Sequence, residues 1–187
     1  MALSKIKMIF QKHPLIANSL VYGGMYVTAE FSQQVVNRKF SNKVPPDPID
    51  TACLLRYAVV GCCINSNLLY YWYRWLDTNF PGKTAKIVTK KLLLDQFVLT
   101  PHLLAIFYIS MSIMEGKKDI FAELKQKFIP TFETSCSFWL PAQAINFVLI
   151  PPMARVVYVG TCSFLWVNIL CWLKRKEIKV ITETEEL

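Results

Sequence analysis

The chain has 187 residues, 53% of them hydrophobic, with a positive mean hydropathy and a net charge of +8. A soluble domain of this length does not need so much apolar surface. The 21 Lys and Arg residues are spread over every loop and no binding motif accompanies them, which argues against nucleic acid as a partner.

The first 14 residues carry three lysines and no acid, with Leu3, Ile6 and Phe10 at helical spacing. Such a basic amphipathic lead-in suits a short cytosolic tail, and somewhat better a mitochondrial or peroxisomal membrane protein. It lacks the short apolar core and small-residue cleavage site of a signal peptide, and the final Glu-Glu-Leu is not a peroxisomal matrix signal.

Five apolar stretches come next, at roughly 15–35, 51–73, 92–114, 132–153 and 155–173. Each is close to the ~20 residues that span a hydrocarbon core. They predict an all-α, polytopic integral membrane bundle of four to five membrane-embedded helices. The expected organisation is a single domain over 1–187, with the bundle at 15–173 and a polar tail at 174–187.

The first stretch holds Gly23-Gly24 and, near its end, Glu30. The pair does not begin a G-x-x-x-x-G-K-S/T pattern, so it is not a phosphate loop, and it predicts close helix packing. The second has Arg56 near its start, with Cys63 and Asn67 on the same helical face, a polar seam. It ends in Tyr70-Tyr71-Trp72-Tyr73-Arg74-Trp75, which reads as an interfacial anchor, and Pro81-Gly82 then turns the chain. The third carries Asp95 and Gln96 early, with His102 on the Asp95 face. In the fourth, Gln143, Asn146 and Ile150 form one stripe; Pro141 and Pro151-Pro152 predict a shorter, polar-lined element, spanning or re-entrant. The fifth opens on Arg155.

An ionised group at the bilayer centre costs about 2.5–3.5 kcal/mol on insertion scales. Long Arg56 and Arg155 can snorkel to the interface, whereas short Asp95 cannot. Asp95 is therefore expected at an internal site with a cation or an amide cluster as its partner. Chain order sets Glu30 and Arg56 at one depth, where they could pair, and Asp95 toward the opposite side. Arg155 arrives on the Asp95 side if 132–153 spans, and stays with Glu30 if it is re-entrant. Three readings compete: ion pairs that merely lock the bundle, a water-filled polar path, or a substrate-coupled transporter. Lys and Arg number eight in the N-terminal tail and 74–91 loop against seven in the 36–50 and 115–131 loops, too small a bias to orient the chain.

Cys53, Cys62, Cys63, Cys136, Cys162 and Cys171 form no C-x-x-C pair, and only His13 and His102 could join them. Neither a metal nor another cofactor is expected, and the thiols read as small core residues. No nucleophile elbow, H-E-x-x-H or carboxylate pair with a base appears, so no enzyme activity is expected.

The run Trp139, Gln143, Asn146, Phe147, Ile150, Pro151 and Arg155 fits W-x(3)-Q-x(2)-N-F-x(2)-[VI]-P-x(3)-R. Asp95-Gln96 with Pro101 fits D-Q-x(4)-P, and Trp72-Tyr73 with Leu76 fits W-Y-x(2)-L. Trp166 lies eleven residues after Arg155, and the run 107–128 completes the pattern. Jointly these resemble the membrane-protein family named for Mpv-seventeen and the peroxisomal membrane protein of twenty-two kilodaltons, and within it the Mpv-seventeen-like branch. Departures include Ala29-Glu30 where the family has Gly-Asp, and Asp50, Cys53, Arg56 where it has a second arginine.

The resemblance implies an integral protein of the mitochondrial inner membrane or, alternatively, the peroxisomal membrane, usually described with four spans. It also implies roles in small-solute permeability, reactive-oxygen balance and mitochondrial DNA upkeep. The expected function is channel-like passage of small solutes or ions, influencing reactive-oxygen balance and mitochondrial homeostasis. The alternative is a non-conducting membrane scaffold or adaptor that affects oxidant metabolism or mitochondrial DNA maintenance indirectly. The expected polar seam is Glu30, Arg56, Asn67, Asp95, Gln96, Gln143, Asn146 and Arg155. Expected partners are the lipid bilayer, small solutes or ions, and a second copy or another membrane protein.

Overall fold

The computed structural model describes residues 13–40, 45, 48–82, 84–150 and 155–185. Five helices run through them: α1 Pro14–Lys39, α2 Thr51–Asn79, α3 Ala85–Met114, α4 Ala122–Val148 and α5 Arg155–Glu185. Local chemistry sets their ends. Pro14 opens α1, where a missing N–H costs nothing. Asp50 caps α2 by accepting from the Cys53 N–H at 2.9 Å. Gly116, at φ +69°, ends α3, and the Lys117 N–H returns to the Ser112 carbonyl at 3.1 Å, a Schellman closure.

Two helices contain a wider π turn. In α2 it covers Val60–Asn65, with the Ser66 N–H bonded to the Gly61 carbonyl. In α3 it covers Asp95–Leu99, with the Thr100 N–H bonded to the Asp95 carbonyl. Pro101 comes directly after it. Having no N–H, it cannot continue the α ladder, and the i→i−5 turn before it absorbs the mismatch.

The fourth stretch departs from expectation. Instead of a shortened element, α4 is one helix of 27 residues that passes through Pro130 and Pro141. Prolines are tolerated inside membrane helices where neighbouring groups re-satisfy the freed carbonyls, which here belong to Gln126 and Ser137, four residues before each proline. Pro151-Pro152 lies outside the described residues. Helix α5 also outruns its predicted end at 173, and Lys174 and Arg175 pack into the bundle rather than opening a tail.

Consecutive helices are antiparallel neighbours, and α5 packs back on α1, which closes a five-membered ring. Helices α1 and α2 approach most tightly at Gly23 and Gly61, where a Cβ on Gly61 would lie 2.9 Å from the Tyr22 carbonyl oxygen. Of the expected Gly23-Gly24 pair, Gly23 therefore serves close packing, whereas a Cβ on Gly24 would meet nothing within 4 Å. Tyr26, Tyr57 and Phe107 stack mid-ring with centroids 5.9–6.4 Å apart, above Tyr108, Met111 and Cys171. The ring thus has two ends, one at the α2–α3 turn and one at the α3–α4 turn.

Outside, the bundle exposes Leu20, Phe31, Leu55, Leu68, Phe97, Ile113, Ile129, Leu140 and Leu165. An apolar surface of that extent needs lipid to cover it. Helices α2 and α3 are each long and apolar enough to cross a membrane, at 29 and 30 residues. Helices α1, α4 and α5 turn Glu30, Gln34, Ser135, Asn146 and Lys174 inward, away from lipid. The fold is an all-α membrane bundle.

Candidate functional site

The half of the ring nearest the α2–α3 turn holds a partly open cavity of about 970 Å³. All five helices line it, through Tyr22 and Tyr26, Asn65 and Tyr73, Asp95 and Gln96, Gln143 and Asn146, and Ser163 and Trp166. A second pocket of about 540 Å³ shares Tyr22, Leu69 and Tyr73 with it and carries Arg74 and Asp77. Asp95 Oδ1 accepts a hydrogen bond from the Trp72 indole N–H, across from α2. The Gln96 amide donates to Ser135 Oγ at 3.3 Å and Cys136 Sγ at 3.2 Å, fastening α3 to α4. The Asn146 amide donates to Gln143 Oε1 at 3.2 Å, and that of Asn65 to the Tyr26 hydroxyl. Asn65 Oδ1 and Asn146 Oδ1 have no partner, although both side chains are buried.

Charge at the other end is organised differently. Glu30 is wholly buried and pairs with the Arg175 guanidinium, while Gln34 Nε2 and Cys53 Sγ donate to it at 3.0 and 3.2 Å. The expected Glu30–Arg56 pair does not form. Glu30 sits where α1 meets α5, and the continuation of α5 past 173 supplies a nearer cation. Beside it, Glu123 accepts from Lys127 and Lys117, both at 2.7 Å, and from Lys174 at 3.3 Å. Glu115 joins through Lys117 and Lys174, both at 2.9 Å. Burial by itself raises the Glu123 pKa, but the Lys174 charge and the bonds from Lys117 and Lys127 outweigh it and hold the carboxyl at about 2. These groups close the α3–α4 end.

Of the expected seam, Asp95, Gln96, Gln143 and Asn146 meet on one cavity. Glu30 belongs to the closed end. Asn67 bonds its own helix, Nδ2 to the Cys63 carbonyl at 2.7 Å, and Asn65 takes the inward place because the π turn shifts the register. Arg56 is half-buried and does not line the cavity. The Arg155 side chain lies outside the described residues. His102 is exposed, its Nδ1 2.6 Å from the Val98 carbonyl oxygen. The Asp95 partner is also corrected, an indole N–H in place of a cation or amide cluster, because Trp72 turns inward rather than anchoring at the interface.

Residues 112–171 match the model of the Mpv17 / PMP22 family. Over 172 residues the chain is 34% identical to an Mpv17-like protein of Xenopus laevis, covering 92% of this chain and 82% of that one. The chain belongs to the Mpv17 / PMP22 family. An Mpv17-like protein of Bos taurus is 33% identical over 187 residues, covering 94% and 91% of the two chains. Peroxisomal membrane protein 2 of Bos taurus is 25% identical over 167 residues, covering 88% and 85%. Protein SYM1 of Mycosarcoma maydis is 32% identical over 154 residues, covering 79% and 73%. No solved structure matches.

As a member of the Mpv17 / PMP22 family the chain is an organellar membrane protein. Its three motif segments come together physically. Trp72 of the first holds Asp95 of the second, whose Pro101 sets the π turn that carries Asp95 and Gln96. Trp139, Gln143 and Asn146 of the third line the same space.

Proposed function

We propose that this protein passes small solutes or ions across an organellar membrane through this cavity, without chemistry on the solute. One observation carries the reading: three motif segments far apart in sequence converge on one polar and aromatic cavity inside a closed ring of helices. The basic amphipathic start suits an organellar membrane of either kind, and our reading is the mitochondrial inner membrane, with the peroxisomal membrane as the alternative. Effects on reactive-oxygen balance and mitochondrial homeostasis follow from the permeability. The second reading, a non-conducting scaffold, draws its support from the ion-paired layer that shuts the α3–α4 end.

Purified protein in planar bilayers separates the two. Conduction gives unitary currents that fall several-fold in a folded Gln143→Leu/Asn146→Leu double variant. A silent bilayer leaves the scaffold, and currents untouched by the double variant remove the cavity from the path.

A further inference from the structure

The cavity's lining is chemically one-sided. Asp95 is the sole charged side chain among the described residues that line it, and no Lys, Arg or His joins it there. In a chain of net charge +8 that is an exclusion, since the cations are held elsewhere. Lys117, Lys127 and Lys174 are paired at the α3–α4 end, and Lys91, whose charge reaches Asp95, is ion-paired to Asp77 at 2.6 Å. The Trp72 indole gives Asp95 a neutral donor, which orients the carboxylate without neutralising it. Two further acceptors, Asn65 Oδ1 and Asn146 Oδ1, are buried there and unpartnered, and a buried acceptor left without a donor is destabilising. Around them stand the rings of Tyr22, Tyr26, Tyr73, Phe107, Trp139 and Trp166. Aromatic faces attract cations, most strongly where water is excluded.

From this arrangement we infer that the cavity binds a small organic cation with an apolar body. Asp95 takes the charged head, the Asn65 and Asn146 oxygens take its donors, and the aromatic rings pack against the body. An anion would meet a carboxylate and bare acceptors with no cation in reply. A bare Ca²⁺ or Mg²⁺ ion wants six or more convergent oxygens, and the apolar share of this lining does not supply them. The volume, about 970 Å³, is at the upper end of small-molecule sites. The inference rests on the cavity being the functional site, not on its conducting.

The test titrates the full chain in nanodiscs with benzyltrimethylammonium, following tryptophan fluorescence against empty nanodiscs. Benzyl alcohol and benzenesulfonate serve as the neutral and anionic comparators. Saturable binding of the cation, at least tenfold tighter than of either comparator, is the expected result. Asp95→Asn should weaken it at least tenfold, whereas Glu133→Gln, an exposed acid outside the cavity, should leave it unchanged. Should Asp95→Asn fail to fold, Asn146→Leu removes an acceptor alone and should weaken cation binding several-fold. Equal binding of the three probes, or full affinity in folded Asp95→Asn or Asn146→Leu, overturns the inference. Saturable cation binding in a protein that is silent in bilayers overturns conduction and leaves this site standing. Currents without cation binding do the reverse.

Discussion

The Trp72 indole N–H, together with the Tyr73 hydroxyl, holds the carboxylate that gives the cavity its charge. Trp72→Phe keeps a ring to stack on Trp75, now at 5.2 Å between centroids, and deletes only the indole donor. A hydrogen bond to a charged group contributes about 1.5–3 kcal/mol, so thermal unfolding in detergent should show a loss of that order. Asp95→Asn should shrink the effect of Trp72→Phe, and equal losses in both backgrounds would refute the coupling. Glu123 gives a pH signature. Its folded carboxyl titrates near 2, below the ordinary 4.5, so its contribution to stability is complete above about 4.5 and is lost as pH falls toward 2. Unfolding temperature should therefore drop across that window, and less steeply in Glu123→Gln; parallel profiles would contradict the assignment. Short polar groups in apolar stretches are legible as internal, which is why the sequence points to Asp95, Gln96, Gln143 and Asn146. Their partners are not legible, because a partner depends on which face of a distant helix arrives at that depth. Arg175 reads as tail, and Trp72 as an interfacial anchor. Glu123 and Lys127, spaced i,i+4 ahead of the fourth apolar stretch, are the available signal for the closed end.

Hydropathy locates the helices but not their phase. One residue added in a π turn rotates the remainder of the helix by about 100°, at 3.6 residues per turn. That rotation separates inward Asn65 from outward Asn67, and strict α periodicity picks the wrong one. Pro101 marks one π turn in advance. The other sits at Gly61, where α2 lies against the backbone of α1. A Cβ there would stand 2.9 Å from the Tyr22 oxygen and 3.0 Å from Gly23 Cα, atoms that move only if the helices part. Gly61→Ala should cost about 1–3 kcal/mol through overpacking. Gly24 has nothing within 4 Å of its added Cβ, so Gly24→Ala should be neutral or stabilising by up to about 1 kcal/mol from helix propensity. Chemical denaturation in mild detergent ranks the two. The reverse order would mean that the close approach at Gly61 is not what joins α1 to α2.

On the scale of the whole bundle, the two halves of the ring do opposite things with polarity. Toward the α2–α3 turn, mostly uncharged polar groups surround a cavity; toward the α3–α4 turn, charges pair with one another and close up, with only Glu30 Oε2 and Arg175 Nε left over among the described residues. Any continuous path must pass the second half, between the aromatic core and the Glu123 layer. Lys174 is the strategic member of that layer, because its ammonium binds Glu115 at 2.9 Å and Glu123 at 3.3 Å while its carbonyl accepts from Lys127 at 2.7 Å. It thereby ties α5 to α4 and to the end of α3. Lys174→Met keeps the length of the side chain and the carbonyl bond but removes the charge that spans the three helices. Breaking one partner of a buried ion pair costs about 3–5 kcal/mol, and here that loss falls on the closed state. Reconstituted Lys174→Met should therefore leak several-fold more solute than the parent protein, measured as release from loaded vesicles, with helix content by circular dichroism unchanged. The Gln143→Leu/Asn146→Leu changes, added to it, should reverse the leak, since both halves would lie on one path. A folded Lys174→Met that leaks no more than the parent would show that the ion-paired end is a structural floor, and that the cavity communicates with one side only.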